Sequence, residues 1–178
     1  GIAGLFFTYG YSNPPIKASY RGAGELFMML GYAALVFTAY YIQAGAAWFP
    51  LFICLPRILS VPALKLLRNI PDARADEAAG KKTLVVMIGK ARASKLYVLL
   101  ISASIVSFLP AFFVTKSYFA LLNIIPIAYL AASALPMAKG LWHIPQKLAI
   151  SCKYGFQGLL LTPVTLTLTF LLNGFIHL

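Results

Sequence analysis

LYVLLISASIVSFLPAFFV, residues 96–114, carries no charged side chain and is close to the roughly 20 residues a helix needs to cross the hydrocarbon core of a bilayer. Residues 26–42, 118–137 and 156–178 have the same character, and residues 46–64 are apolar apart from Arg57. A helix satisfies its backbone groups internally, which is what lipid demands. The chain is therefore expected to form an all-α polytopic transmembrane helix bundle of about five full spans, preceded by an N-terminal helix stub. Composition agrees: 61% of the 178 residues are hydrophobic and 11% charged, where soluble domains average about half and about a quarter. No cleavable signal peptide is visible, and GIAGLFFTYG reads as the tail of a helix.

The connections carry the charge. Residues 11–25, 65–95 and 138–154 fall on one side of the membrane if every span crosses, and they hold nearly all the lysines and arginines. The other side has Lys116. The positive-inside rule makes the basic side cytoplasmic and accounts for the net charge of +11 without nucleic acid. Cys54 and Cys152 read as small core or interfacial residues. Thr162, Thr165, Thr167 and Thr169 are positioned to hydrogen-bond between helices, and they do not make a site.

Residues 46–64 are unusual. Pro50, Pro56 and Pro62 each remove a backbone donor. Arg57 at membrane depth costs about 3 kcal/mol on insertion scales, so it either faces a cavity or a partner or snorkels to the interface.

Polar chemistry concentrates just beyond. NIPDARADEAAGKKTL, residues 69–84, holds Asp72, Asp76 and Glu77 in a chain with four acids in all. On a helix Asn69, Asp72 and Asp76 share a face. Two like charges at that spacing call for a cation. Arg68, Arg74, Lys81 and Lys82 supply one; so would Mg²⁺, which takes hard oxygen ligands and completes its shell with water and substrate phosphate. A solvated loop of mixed charge is the alternative. A second cluster, YSNPPIKASYRGAGE at residues 11–25, lies on the same side. Lys17 and Arg21 suit phosphate oxygens there, or are simply positive-inside charges. Glu25 sits where a following helix would begin, at its positive end.

Together the clusters resemble a family. RNIPDARADEAAGKKTLVVMIGKARA, residues 68–93, resembles the second aspartate-rich motif of the UbiA superfamily of intramembrane prenyltransferases. YSNPPIKASYRGAGEL and the YYIQAG ending the next span resemble the branch that prenylates 1,4-dihydroxy-2-naphthoate for menaquinone. The match runs from about residue 9 to residue 93; the later spans agree only in number and hydropathy.

The resemblance implies Mg²⁺-dependent transfer of a polyprenyl group from a polyprenyl diphosphate to an aromatic acceptor, with dihydroxynaphthoate expected. It implies Asp72, Asp76 and Asn69 as the metal ligands, with Lys17 near the diphosphate and Tyr11 and Ser12 near the reacting centre. Arg21, Arg68 and Lys82 are added as further diphosphate-side cations, and Phe27, Tyr32, Tyr40 and Tyr97 as aromatic walls for an allylic cation. It implies a multi-pass integral membrane protein with cytoplasmic active-site loops, in the plasma membrane if the source is prokaryotic. The first aspartate-rich motif of the family is missing from these residues. Residues 1–178 are accordingly expected to be one transmembrane prenyltransferase domain matching the C-terminal part of the family fold, catalytically incomplete alone, with the rest in a longer protein or on another chain. A transporter and a non-catalytic membrane subunit are the alternatives.

Overall fold

The computed structural model describes residues 2–45, 47–115 and 118–176. Lys116, and Ala46 and Ser117 of the expected outer turns, lie outside the described residues. The described regular structure is entirely helical: α1 (Ile2–Ser12), α2 (Gly24–Ala44), α3 (Phe49–Ala78), α4 (Leu84–Ile88), α5 (Lys90–Val106), α6 (Leu109–Thr115), α7 (Ile124–Ala138) and α8 (Pro145–Ile176), with short 3₁₀ turns at Ala18–Tyr20, Tyr118–Asn123 and Leu141–His143. Among the described residues, 5 stretches are long and apolar enough to cross a membrane: Gly24–Ala44, Phe49–Ala78, Lys90–Val114, Tyr118–Ala138 and Pro145–Gly174.

The expected connection at residues 65–95 is not a loop. Helix α3 runs on through it to Ala78, α4 follows, and α5 has begun by Lys90. The cause is periodicity. Ala63, Leu66, Leu67, Ile70 and Ala73 recur at helical spacing and are all buried, so the chain gains core by remaining helical after its polar residues begin. Pro56, Pro62 and Pro71 lie inside α3 without ending it. In apolar surroundings an interrupted helix exposes more unpaired backbone than one missing bond does. Gly80, at φ 70°, closes the end of the helix in the left-handed region that glycine adopts without strain. The basic connection at residues 138–154 is likewise largely helical, because α8 starts at Pro145.

Residues 96–114 are broken rather than continuous. Helix α5 stops at Val106 and α6 starts at Leu109, with Pro110 in its first turn, where the missing N–H does no harm.

Helix α3 is the hub, packing against α2, α5 and α8, while α7 packs on α5 and α8. Leu66, Leu67, Ile70, Tyr97, Ile101 and Leu130 make the centre of the core. Close approach of α7 and α8 needs Gly158: an added Cβ would stand 2.9 Å from the Leu130 side chain and 3.2 Å from its backbone nitrogen.

Buried polar groups tie the helices. Tyr97 Oη and Ser133 Oγ are 2.7 Å apart, and Ser104 Oγ donates to the Pro56 carbonyl at 2.7 Å. Thr162 and Thr165 bond back into their own helix. The inter-helix bond expected of the four threonines is made at Thr169, which accepts from Asn123 Nδ2 at 3.1 Å. Thr167 is exposed.

Arg57 has a partner. Pro163 lacks the N–H that would bond the Leu159 carbonyl one turn earlier. Arg57 Nη1 donates to that carbonyl at 2.6 Å, and its guanidinium lies 5.7 Å from the centre of the Tyr32 ring. The snorkelling alternative is thereby set aside: the arginine joins α2, α3 and α8.

Candidate functional site

The polar stretch of α3 builds one stripe. Lys65, Asn69, Asp72 and Asp76 follow each other at intervals of four, three and four residues, opposite the buried Leu66–Leu67–Ile70 face. The spacing argument for a shared face therefore holds, on a helix that forms for core reasons.

The loop between α1 and α2 lies against this stripe. It contains a cis Pro14–Pro15 bond and Lys17 at φ 46°, in the left-handed region. The Lys82 backbone N–H donates to the Tyr20 carbonyl at 3.0 Å, pinning the loop to the segment after α3. Two ammonium groups flank the Tyr20 ring, Lys17 Nζ at 5.9 Å from its centre and Lys81 Nζ at 5.4 Å. Lys81 also pairs with Asp76 at 3.3 Å. Two stretches separated by about a third of the chain thus meet around one tyrosine, with more cation than anion between them.

The second joint lies further along the stripe. Glu25, in the first turn of α2 and buried, accepts from Lys65 Nζ at 3.2 Å and from Asn69 Nδ2 at 3.4 Å. Lys65 Nζ sits 5.2 Å from the centre of the Tyr11 ring. The approach is tight, because a Cβ on Gly24 would collide with Lys65 Nζ and stand 3.0 Å from Ser19 Cα.

Of the residues singled out from sequence, Asn69, Asp72, Asp76, Lys17 and Tyr11 come together here. Ser12, Arg21 and Arg68 are exposed and make no ion pair or side-chain hydrogen bond among the described residues. Lys82 contributes its backbone, and its side chain is exposed. Phe27 and Tyr32 line the groove described below. Tyr97 does not: it is wholly buried in the core against Ser133. Tyr40 is exposed on α2 outside the groove lining. Lys65 reads from sequence only as one of the basic-side charges, and Glu25 only as a charge at a helix start. The signal for both lay in the stripe, which continues one turn back from Asn69 to Lys65, and in Glu25 being the one acid outside the motif.

The donor set fits Mg²⁺ in one form only. Among the described residues no group of 3 or more His, Cys, Asp or Glu is placed to cage a metal. Two carboxylates and an amide oxygen on one face suit an ion that keeps waters and takes its remaining ligands from phosphate. Asp72, exposed and without an ion pair among the described residues, is available to such an ion, whereas Asp76 is shared with Lys81.

Beside this polar end α1 and α2 enclose a groove of about 1090 Å³, lined by Phe7, Tyr11, Phe27, Gly31, Tyr32 and Leu35 among others. Tyr11 belongs both to the groove wall and to the Lys65 contact, so groove and polar stripe adjoin.

A helical bundle with a mixed-charge end opening beside an apolar groove is the class of protein this geometry defines. Residues 1–173 match the family model described as the UbiA prenyltransferase family, and the chain belongs to that family. It is similar to the 1,4-dihydroxy-2-naphthoate octaprenyltransferase of Bacillus subtilis, 30% identical over 92 residues that cover 50% of this chain and 29% of that protein. UbiA prenyltransferase domain-containing protein 1 of Homo sapiens is 35% identical over 91 residues, 50% of this chain and 26% of its own length. The 2-carboxy-1,4-naphthoquinone phytyltransferase of Synechocystis sp. is 30% identical over 93 residues, 50% of this chain and 29% of its own. The matched stretch thus spans under a third of each of these relatives. No solved structure matches the chain.

Proposed function

We propose that this chain is part of an enzyme that transfers a polyprenyl group from a polyprenyl diphosphate to an aromatic acceptor, with 1,4-dihydroxy-2-naphthoate the expected acceptor and Mg²⁺ the cofactor. The observation that carries the proposal is the meeting of the Asn69–Asp72–Asp76 stripe with the Lys17–Tyr20–Lys81 cluster, next to an apolar groove. An amphiphile with a diphosphate head and an isoprenoid tail has this shape and charge.

Asn69, Asp72 and Asp76 would hold Mg²⁺, which offsets the charge that develops on a departing diphosphate. Lys17 and Lys81 offer ammonium donors to the same oxygens. The groove takes the tail and keeps water from the allylic carbon, with the rings of Phe27 and Tyr32 facing it. An electron-rich ring carbon of the acceptor then forms the new bond as the C–O bond to diphosphate breaks, and that carbon regains aromaticity by losing the proton, or the carboxyl group as carbon dioxide, that it carried. The basic end, by the positive-inside rule, faces the cytoplasm.

Transport fits less well. It needs polar groups left free at depth. Arg57, Tyr97, Ser104, Thr162 and Thr169 are instead all engaged within the bundle.

In the full-length protein, Asp72→Ala and Asp76→Ala are each expected to abolish Mg²⁺-dependent prenyl transfer while membrane insertion stays normal. Unchanged turnover in either variant refutes the assignment.

A further inference from the structure

We propose that Glu25 is a positioning residue for the metal site, acting through Asn69; this rests on reading the α3 stripe as that site. Glu25 is 7% exposed, and its Oε1 receives both Lys65 Nζ and Asn69 Nδ2. A carboxylate only accepts hydrogen bonds, and of the two ends of an amide only the NH₂ donates. The contact therefore sets which end of Asn69 faces which way. Nδ2 is turned to Glu25, and Oδ1, which makes no hydrogen bond among the described residues, is left as the metal-facing oxygen on the stripe shared with Asp72 and Asp76. Without Glu25 the amide can rotate and present NH₂, which no cation accepts as a ligand.

The same oxygen anchors Lys65 over Tyr11, whose ring is part of the groove wall. Helix α2 thus carries one buried acid that orients the polar face of α3 and ties it to the wall along which an isoprenoid would lie. Outer-shell partners of this kind typically contribute 10- to 100-fold to metal affinity.

The test uses the full-length protein in detergent with an unreactive S-thiolo analogue of a prenyl diphosphate. The readout is the Mn²⁺ concentration giving half-maximal thermal stabilisation. Glu25→Leu, which removes the acceptor oxygen, is expected to raise that concentration at least about tenfold. In an Asn69→Ala background it should change the value little, because the path through the amide is already gone. Stripping one member of a buried pair strands the other, so Glu25→Leu/Lys65→Met serves if the single variant fails to fold, with the same expectation. An unchanged Mn²⁺ requirement, or equal weakening with and without Asn69, overturns the role of Glu25 provided Asp72→Asn still abolishes the response. A wild-type protein that shows no Mn²⁺ response overturns the metal reading of the stripe and this inference with it.

Discussion

Lys17 occupies a backbone conformation that side chains other than glycine, asparagine and aspartate rarely adopt, at φ 46° and ψ 49°. Such strain costs on the order of 1–3 kcal/mol, and at this position it sets the ammonium beside Tyr20. Asparagine tolerates the same backbone and carries no charge. Lys17→Asn is therefore expected to leave the thermal midpoint close to wild type while raising KM for the prenyl diphosphate about tenfold or more, the worth of one charge-assisted bond. An unaltered KM in steady-state assays would separate Lys17 from the donor. At Gly24 the constraint is space rather than conformation. Gly24→Ala sets a methyl group 3.0 Å from the Ser19 Cα and pushes Lys65 Nζ off Glu25, and should destabilise the protein by about 1–3 kcal/mol, read from its unfolding in denaturing detergent. At this scale the sequence was informative about chemistry and silent about pairing. Asn69, Asp72 and Asp76 were legible from type and spacing, whereas Lys65 looked like any inner-leaflet lysine until Glu25, 40 positions away, lay against it.

Helix α3 contains three internal prolines and α8 one, which isolated helices would not tolerate, and here the two helices are joined by Arg57. The pairing predicts a compensation. Arg57→Met leaves the half-buried Leu159 carbonyl without a donor and should cost about 1–3 kcal/mol. Pro163→Ala restores an N–H one turn below that carbonyl. The double variant is therefore expected to recover part of the loss, and a double-mutant cycle on unfolding free energy measures the coupling. Additive effects would mean that Arg57 stabilises the bundle by another route. The expected spans were found, but their ends were misjudged on the polar side. Charge density marked residues 65–95 as a connection, although Leu66, Leu67, Ile70 and Ala73 already spelled one more amphipathic stretch of α3. Hydropathy averaged over a window conceals such a face, because the charges around it cancel the apolar residues within it.

Across the whole molecule, the core formed by α3, α5, α7 and α8 is separate from the groove formed by α1 and α2. Filling the groove should therefore leave the core intact. Ala34→Trp is expected to reduce turnover severalfold with long prenyl donors and less with short ones, at an unchanged thermal midpoint; equal effects on both would remove the groove from the path of the tail. The membrane class, the helical architecture and the composition of the stripe were determined by the sequence alone, because hydrophobic length and 3.6-residue spacing are local properties of a chain. Which loop closes over that stripe, which lysine Glu25 holds and which carbonyl Arg57 supports were decided only by tertiary structure. Each depends on helices distant in sequence meeting at one depth, and no local pattern encodes that register.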